Sequence, residues 1–371
     1  MIYLDHNATT CCDERVVEAM QPYLQAMYGN PSSLYKLGRI ARSAIDTARE
    51  QLAALIDVQP AQIVFTSGGT EANALALANA EGAGLAVSAI EHPSVFENAH
   101  YRQQRYRALV TLPVEPSGVI DPLSLDDRDW QAGDFVSLML ANNETGAIQN
   151  VAAISEVLAG QGVRVHSDAV QALGKIPFSF KKLGVTLMSL SSHKIYGPKG
   201  CGALVVAEGF VLKAWQRGGD QEHGRRSGTE NVAAIVGFGK AAELAKAEME
   251  QRGQKMLALR MQLELALRAM PGVVIFAEQA ERLPNTVQFG IPGISGEMLL
   301  MQLDQRNIAV SSGSACSAAS GEISPVLAAM GVETSLARAA IRVSLGKDSQ
   351  ETEIDQFVDA LTALITKSQE N

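Results

Sequence analysis

Short apolar segments alternate with helical patterns along this chain, and this alternation limits its fold more than any other feature. Residues 39–55 place Ile40, Ala44 and Leu52 on one stripe, which is typical of a helix packed on one face. Apolar segments of strand length follow at residues 62–66, 85–89, 135–140, 163–167, 187–191 and 203–206. Strands separated by helices pair in parallel and are covered on both faces. The sequence therefore predicts an α/β fold with a mostly parallel sheet.

A second region has a different pattern. Residues 240–270 are rich in Ala, Leu, Glu, Lys and Gln, which predicts one long helix. Beyond it we predict an α+β unit with short strands at 273–276, 285–289 and 340–345 and a helix at 296–304. The chain has 371 residues, which is enough for one large domain and one smaller domain.

Charge and composition exclude several classes of protein. The net charge is −9 and no basic stripe is present, so we expect no direct contact with nucleic acid. No apolar stretch approaches the ~20 residues that a membrane span requires, and no signal peptide is visible. Cys11, Cys12, Cys201 and Cys316 do not have metal-ligand or redox spacing. We therefore expect a reduced, cytoplasmic protein without a metal site and without membrane contact.

Polar residues collect where five predicted strands end. Thr70, His92, Asn143, Asp168 and Lys194 each follow a different apolar segment. Taken singly, each is explained as a helix cap, a turn residue or a surface lysine. Ligands of open α/β sheets bind at the carboxyl ends of the strands, so five together favour a binding site. An acid and a lysine at strand ends suit pyridoxal 5′-phosphate, which needs an amine for covalent attachment and an acid beside its ring nitrogen.

A glycine turn at residues 66–73 joins a predicted strand to a predicted helix. The amides of Gly69 and Thr70 would lie at the helix N-terminus, where an anion such as a phosphate is attracted. A simple helix cap at Thr70 is the alternative.

Two further residues stand out from their surroundings. Arg342 is a charge within an apolar strand, and the pattern leaves open whether it pairs with a buried acid or grips a substrate carboxylate. Cys316 lies among serines, alanines and glycines in a predicted loop at residues 311–320, so we predict an accessible nucleophilic thiol.

Together these segments resemble the pyridoxal-phosphate-dependent cysteine desulfurases of the NifS and IscS type, within the class V aminotransferase superfamily. The matches run in family order over nearly the whole chain, and the combination of the lysine motif with Ser-Gly-Ser-Ala-Cys is highly specific. The matching segments are residues 3–10, 29–33, 67–71, 91–92, 142–146, 168–171, 191–194, 226–229, 312–316 and 341–345. At Tyr35 the family usually has histidine.

The resemblance implies a fold type I enzyme with a large cofactor-binding domain at residues 11–250. A small domain, formed by residues 1–10 plus 251–371, would carry the catalytic cysteine loop. Lys194 would hold the cofactor covalently, Asp168 would contact its ring nitrogen and Gln171 its ring hydroxyl. His92 would stack on the ring as a catalytic residue. The phosphate would be bound by Gly69, Thr70, Ser191, His193 and, from the second subunit of a homodimer, Thr229.

The resemblance also implies the reaction. Asn143 and Arg342 would hold the carboxylate of L-cysteine, and Cys316 would take its sulfur as a persulfide and leave L-alanine. An acceptor protein would then receive the sulfur for iron–sulfur clusters or tRNA thiolation, with transient contact to a cluster scaffold. The alternatives are a selenocysteine lyase or another class V lyase or aminotransferase, and a non-catalytic module on the same fold. The presence of both Lys194 and Cys316 favours an enzyme.

Overall fold

The computed structural model describes residues 1–126, 128–312 and 323–369. Within these residues the strands are β1 (Ile2–Tyr3), β2 (Ile63–Thr66), β3 (Gly84–Ser88), β4 (Ala108–Leu112), β5 (Phe135–Met139), β6 (Arg164–Asp168), β7 (Leu187–Ser191), β8 (Gly202–Val206), β9 (Val274–Ile275), β10 (Thr286–Gly290), β11 (Ile308–Ala309) and β12 (Ala340–Ser344). The helices are α1 (Glu14–Gln25), α2 (Lys36–Ile56), α3 (Gly69–Ala78), α4 (Pro93–Tyr101), α5 (Val151–Ala159), α6 (Phe180–Leu183), α7 (Val232–Ala269), α8 (Gly296–Asp304), α9 (Pro325–Ala329), α10 (Thr334–Arg338) and α11 (Glu351–Gln369).

The central sheet has the strand order β2-β8-β7-β6-β5-β3-β4 in the described part of the chain. The pairs from β7 to β4 are parallel, and β8 runs antiparallel to both of its neighbours. Strands β2, β3, β5, β6 and β7 therefore point the same way, and their carboxyl ends meet at one edge. This confirms the predicted α/β fold with a mostly parallel sheet.

Alternate residues of each strand pack on opposite faces of this sheet. In β8, Ala203 and Val205 face a core that also contains residues of α2, α5 and α7. Leu204 and Val206 face a second core formed with α3 and α4. Because side chains alternate along a strand, the continuous apolar run predicted from the sequence fills both layers.

Helix α7 connects the central sheet to the remaining elements. Its first half packs in the large core through Ile235 and Phe238, and its second half packs in a separate core through Leu259 and Leu263. That separate core also contains Leu4, so the N-terminal segment packs with the C-terminal part of the chain. The predicted domain boundaries, at residues 11–250 and at 1–10 plus 251–371, stay a prediction.

The C-terminal part and the N-terminal strand β1 form two small sheets. Strands β12, β10 and β9 form an antiparallel sheet in that order, while β1 and β11 pair in parallel. Helices α8 and α11 contribute to the same core, as the predicted α+β pattern requires. No helix in the described ranges combines the length and apolar character needed to span a membrane.

Candidate active site

A cavity of about 740 Å³ opens at the edge where the parallel strands end. The five polar residues predicted at strand ends all line it: Thr70, His92, Asn143, Asp168 and Lys194. Gly69, Gln171, Ser191, His193 and Arg342 line the same cavity. The parallel strands of the central sheet bring most of these residues together, while Arg342, 273 positions after Gly69, reaches the cavity from β12 of the small antiparallel sheet.

One end of the cavity is suited to an anion. Helix α3 begins at Gly69 immediately after β2, and its first amides have no partners within the helix, as at any helix N-terminus. A Cβ atom on Gly69 would come within 2.9 Å of Val170 Cγ2, so the backbone approaches the opposite wall more closely than other residues allow. Thr70, Ser191 and His193 surround this point. Burial and the charge of Lys194 lower the pKa of His193 to about 4, so its ring is neutral.

A hydrogen-bond network connects Asp168 to His92. The Asn73 side-chain amide donates to Asp168 Oδ2 at 2.7 Å and to Ser94 Oγ at 2.9 Å. His92 Nδ1 accepts from the Ser94 amide at 3.0 Å and lies 2.8 Å from its hydroxyl oxygen. The proton of the neutral ring therefore belongs on Nε2. Burial lowers the pKa of His92, and the nearby Asp168 opposes that shift.

The N-terminal segment forms the other wall of the cavity. Lys194 Nζ donates to the main-chain oxygens of Asn7 at 2.6 Å and Ala8 at 2.7 Å. His193 Nδ1 lies 3.1 Å from Thr9 Oγ1. A short 3-10 turn directly after β7 carries His193 and Lys194. Because the chain turns there, both side chains point toward the N-terminal segment.

Arg342 is buried on β12 and has an acid partner. Its Nη2 donates to Asp5 Oδ1 at 2.6 Å and its Nη1 donates to the Asn143 main-chain oxygen at 3.0 Å. The buried Nε has no hydrogen-bond partner among the described residues. Arg342 therefore pairs with an acid, which is one of the two roles that the sequence allowed. It also lines the cavity, as the other role, binding of a substrate carboxylate, requires.

Two buried glutamates also line the cavity. Burial and the negative charge of Asp168 raise the pKa of Glu91 to about 8, although hydrogen bonds from Ser88 and the Met139 amide oppose that shift. Burial raises the pKa of Glu144 to about 7, while the hydroxyl of Ser324 and the charge of Arg342 oppose that shift. Glu91 is therefore mainly neutral and Glu144 partly neutral near pH 7, so the wall carries less negative charge than the sequence indicates.

The chain is similar in sequence and in structure to known proteins over nearly its full length. The family model for aminotransferase class V matches residues 2–357. Cysteine desulfurase IscS of Dictyoglomus turgidum is 38% identical over 99% of this chain and 95% of its own length. A solved NifS-like protein superposes with a TM-score of 0.92 at 35% identity, covering 98% of this chain and 99% of its own. SspA in complex with cysteine has a TM-score of 0.82 at 29% identity, over 94% of this chain and 99% of its own.

The chain belongs to the cysteine desulfurase family. This confirms the family predicted from the sequence, and with it the fold type. The cysteine desulfurases are pyridoxal-phosphate-dependent enzymes of the class V aminotransferase superfamily.

Two predicted site residues of this family member, Thr229 and Cys316, are not among the described residues that line the cavity. Thr229 is exposed and does not line the cavity of its own chain. Cys316 lies outside the described residues. Close to the two ends of the undescribed range, Ser311 pairs through its main chain with Arg342, and Pro325 is part of the cavity wall. Cys201 is buried and burial raises its pKa, which disfavours a thiolate there.

Four residues that contact the predicted site were not singled out from the sequence: Asp5, Asn7, Asn73 and Lys175. Asp5 and Asn7 belong to the matching segment 3–10, so a signal for them existed. Asn73 is the last residue of the glycine turn motif, and only the fold shows that its amide reaches Asp168. Lys175 is buried, and burial together with the charges of Lys194 and Arg342 lowers its pKa well below the ordinary value.

Proposed function

We propose that this protein is an L-cysteine desulfurase that uses pyridoxal 5′-phosphate. The observation that carries the proposal is that one cavity gathers Lys194, Asp168, an anion-binding helix N-terminus and Arg342, in a chain of the desulfurase family. The cavity volume, about 740 Å³, is in the range of small-molecule sites.

The residues present fit this cofactor. Lys194 would form the covalent link, and Asp168 would pair with the ring nitrogen while Asn73 and the Val170 amide hold its two oxygens at 2.7 and 2.9 Å. His92 would stack on the ring, and Gln171 would contact the ring hydroxyl. Gly69, Thr70, Ser191 and His193 would bind the phosphate at the start of α3. When bound, this cofactor supplies an electron sink for bond cleavage next to the amino-bearing carbon.

The protein's own groups would orient the substrate and move protons. Arg342 and Asn143 would hold the carboxylate of L-cysteine, since a guanidinium fork matches a carboxylate in shape and charge. Lys194, which donates to the main-chain oxygens of Asn7 and Ala8, would also hold and move a proton at Nζ. His92 would hold a proton at Nε2, because Nδ1 is occupied by Ser94.

Sulfur transfer would take place on Cys316. The carbon–sulfur bond of L-cysteine breaks, a sulfur–sulfur bond forms on Cys316, and L-alanine leaves. Carbon is reduced as sulfur is oxidised, so the step balances without an external oxidant. The persulfide would then pass to an acceptor protein, in iron–sulfur cluster assembly or tRNA thiolation, through transient contact that includes a cluster scaffold.

We further propose a homodimer in which Thr229 reaches the phosphate site of the partner subunit. Its exposure outside its own cavity supports this, and the Arg226 guanidinium holds the preceding loop to Glu71 with contacts of 2.7 and 3.0 Å. The cavity would lie between the large and small domains, because Lys194 of one and Arg342 of the other line it. Among the described residues, Cys11, Cys12 and Cys201 are free thiols, which fits a reduced cytoplasmic setting.

The test combines cofactor binding with product analysis. The purified protein should bind pyridoxal 5′-phosphate, and borohydride reduction followed by peptide mass spectrometry should place the cofactor on Lys194. The loaded protein should release alanine from L-cysteine in amounts equal to the sulfide that an added thiol reductant liberates from the enzyme persulfide. Cofactor on a different lysine would refute the site assignment. Alanine release from L-selenocysteine but not from L-cysteine would establish the selenocysteine lyase alternative instead.

A further inference from the structure

A lysine buried behind the cavity wall has no part in the mechanism above. Lys175 is 8% exposed, and its Nζ donates to Gln171 Oε1 at 2.7 Å and to Asn7 Oδ1 at 2.8 Å. Its partners are therefore two amide oxygens. The charged groups that act on it within the described residues are Lys194 and Arg342, which are cations. A lysine without an acid partner is costly to bury, so its position calls for a role.

Lys175 decides how the amide of Gln171 is oriented. The lysine amine carries N–H donors in either protonation state, and it donates one of them to Gln171 Oε1, so the amide atom that faces it is the oxygen. The nitrogen of Gln171 then points the other way, where one N–H donates to the Asn7 main-chain oxygen at 2.9 Å. The second N–H is left for the cavity that Gln171 lines. Gln171 therefore presents a donor to the cavity because Lys175 binds its oxygen.

The same amine fixes Asn7. The Asn7 side-chain oxygen accepts from Lys175 and, at 3.1 Å, from Asn285. Its nitrogen then donates to the Asn143 main-chain oxygen at 3.1 Å and to Thr286 Oγ1 at 2.9 Å. The main-chain oxygen of Asn7 accepts from Lys194 at 2.6 Å. One buried amine thus supports the residue that binds Lys194.

We infer that Lys175 is a positioning residue, which turns the donor side of Gln171 toward the ring oxygen of the cofactor and holds the Asn7 segment that binds Lys194. The inference rests on the proposed function, because it requires pyridoxal phosphate in this cavity. It assigns Lys175 an action through Gln171 and Asn7, without contact to cofactor or substrate.

A double-mutant cycle tests this action. Lys175→Met keeps the length of the side chain and removes both hydrogen bonds, and Gln171→Ala removes the residue through which Lys175 acts. We expect each single variant to weaken pyridoxal-phosphate binding about tenfold, as the loss of one hydrogen bond implies. We expect the double variant to lose less than the sum of the two single losses, because Gln171→Ala already removes the part of the action of Lys175 that runs through Gln171. The visible absorption band of the bound cofactor should shift in both single variants.

The controls separate this inference from the proposed function. Lys181→Met changes an exposed lysine on α6 and should leave binding and spectrum unchanged. Wild-type protein that fails to bind the cofactor would refute the proposed function. Normal binding and spectrum in Lys175→Met, or additive losses in the double variant, would refute the role of Lys175 alone. If Lys175→Met does not fold, Lys175→Gln takes its place in the cycle, with the same coupling expected and additive losses again refuting the role.

Discussion

Replacing Arg342 by lysine should weaken binding of L-cysteine while leaving cofactor and fold in place. Lysine keeps the positive charge and can still pair with Asp5, so the net charge of the wall does not change. It cannot reproduce the planar fork that grips both oxygens of a carboxylate. The variant therefore isolates the geometry of the guanidinium from its charge.

The size of the effect follows from the contacts of Arg342. Nη1 and Nη2 already bind the Asn143 oxygen at 3.0 Å and Asp5 at 2.6 Å, while the buried Nε has no partner among the described residues. A fork that uses Nε and one terminal nitrogen would lose one charge-assisted hydrogen bond in Arg342→Lys, worth about 1.5–3 kcal/mol. KM for L-cysteine should then rise about 10- to 150-fold.

Steady-state kinetics with L-cysteine, together with the visible spectrum and thermal unfolding of the variant, measure this effect. Arg338→Lys is the matched control, because Arg338 is an exposed arginine only four positions earlier in the chain. An unchanged KM would show that Arg342 does not grip the substrate. Loss of cofactor or of folding in Arg342→Lys would show that the guanidinium, through its joint contacts with Asp5 and the Asn143 oxygen, is structural, which would contradict the substrate-binding role.

Three further predictions follow from the same structure. Asp168→Ala should weaken cofactor retention and slow turnover, because the ring nitrogen loses its acid partner. If the variant keeps as much cofactor as wild type during dialysis and has the same kcat, Asp168 does not pair with the ring nitrogen. Lys194→Ala should lose the borohydride-stable link to the cofactor while the protein still folds, as peptide mass spectrometry and thermal unfolding can show. His166 is buried with its pKa lowered to about 4, so the unfolded state takes up its proton first as pH falls. The contribution of neutral His166 to stability is present above pH ~6.5 and is lost toward pH ~4. The free energies of unfolding of wild type and His166→Asn, measured in urea, should therefore approach each other as the pH falls through this range.

The sequence predicted the central sheet well because its strands are buried on both faces and read as continuous apolar runs. The sequence analysis missed β4 (Ala108–Leu112), an edge strand beside β3 whose residues are mostly exposed and in which Thr111 interrupts the apolar run. It also placed the start of α7 too late. Residues 232–239 contain Gly237 and Gly239, which lower helix propensity. A Cβ at Gly239 would come within 2.5 Å of Ala48 Cα, so the close packing of α2 requires glycine.

Five residues of the candidate site could be predicted from their positions after apolar strands, because parallel strands bring their carboxyl ends to one edge. These are Thr70, His92, Asn143, Asp168 and Lys194. The residues that hold them were harder to predict. The Asn73 contact with Asp168 spans 95 positions and the Lys175 contact with Asn7 spans 168. An interaction over such distances depends on the folded backbone, and nothing in the local pattern around either residue indicates it.

Mass analysis of Cys316 after reaction with L-cysteine tests the central claim most directly. Cofactor-loaded protein is mixed with one equivalent of L-cysteine, alanine is quantified, and the peptide that contains Cys316 is examined for added sulfur. The account predicts one persulfide on Cys316 for each alanine formed in the first turnover. It also predicts that Cys316→Ser keeps the cofactor spectrum but forms neither product. Persulfide on Cys11 or Cys201, or alanine formation that continues undiminished in Cys316→Ser, would contradict it.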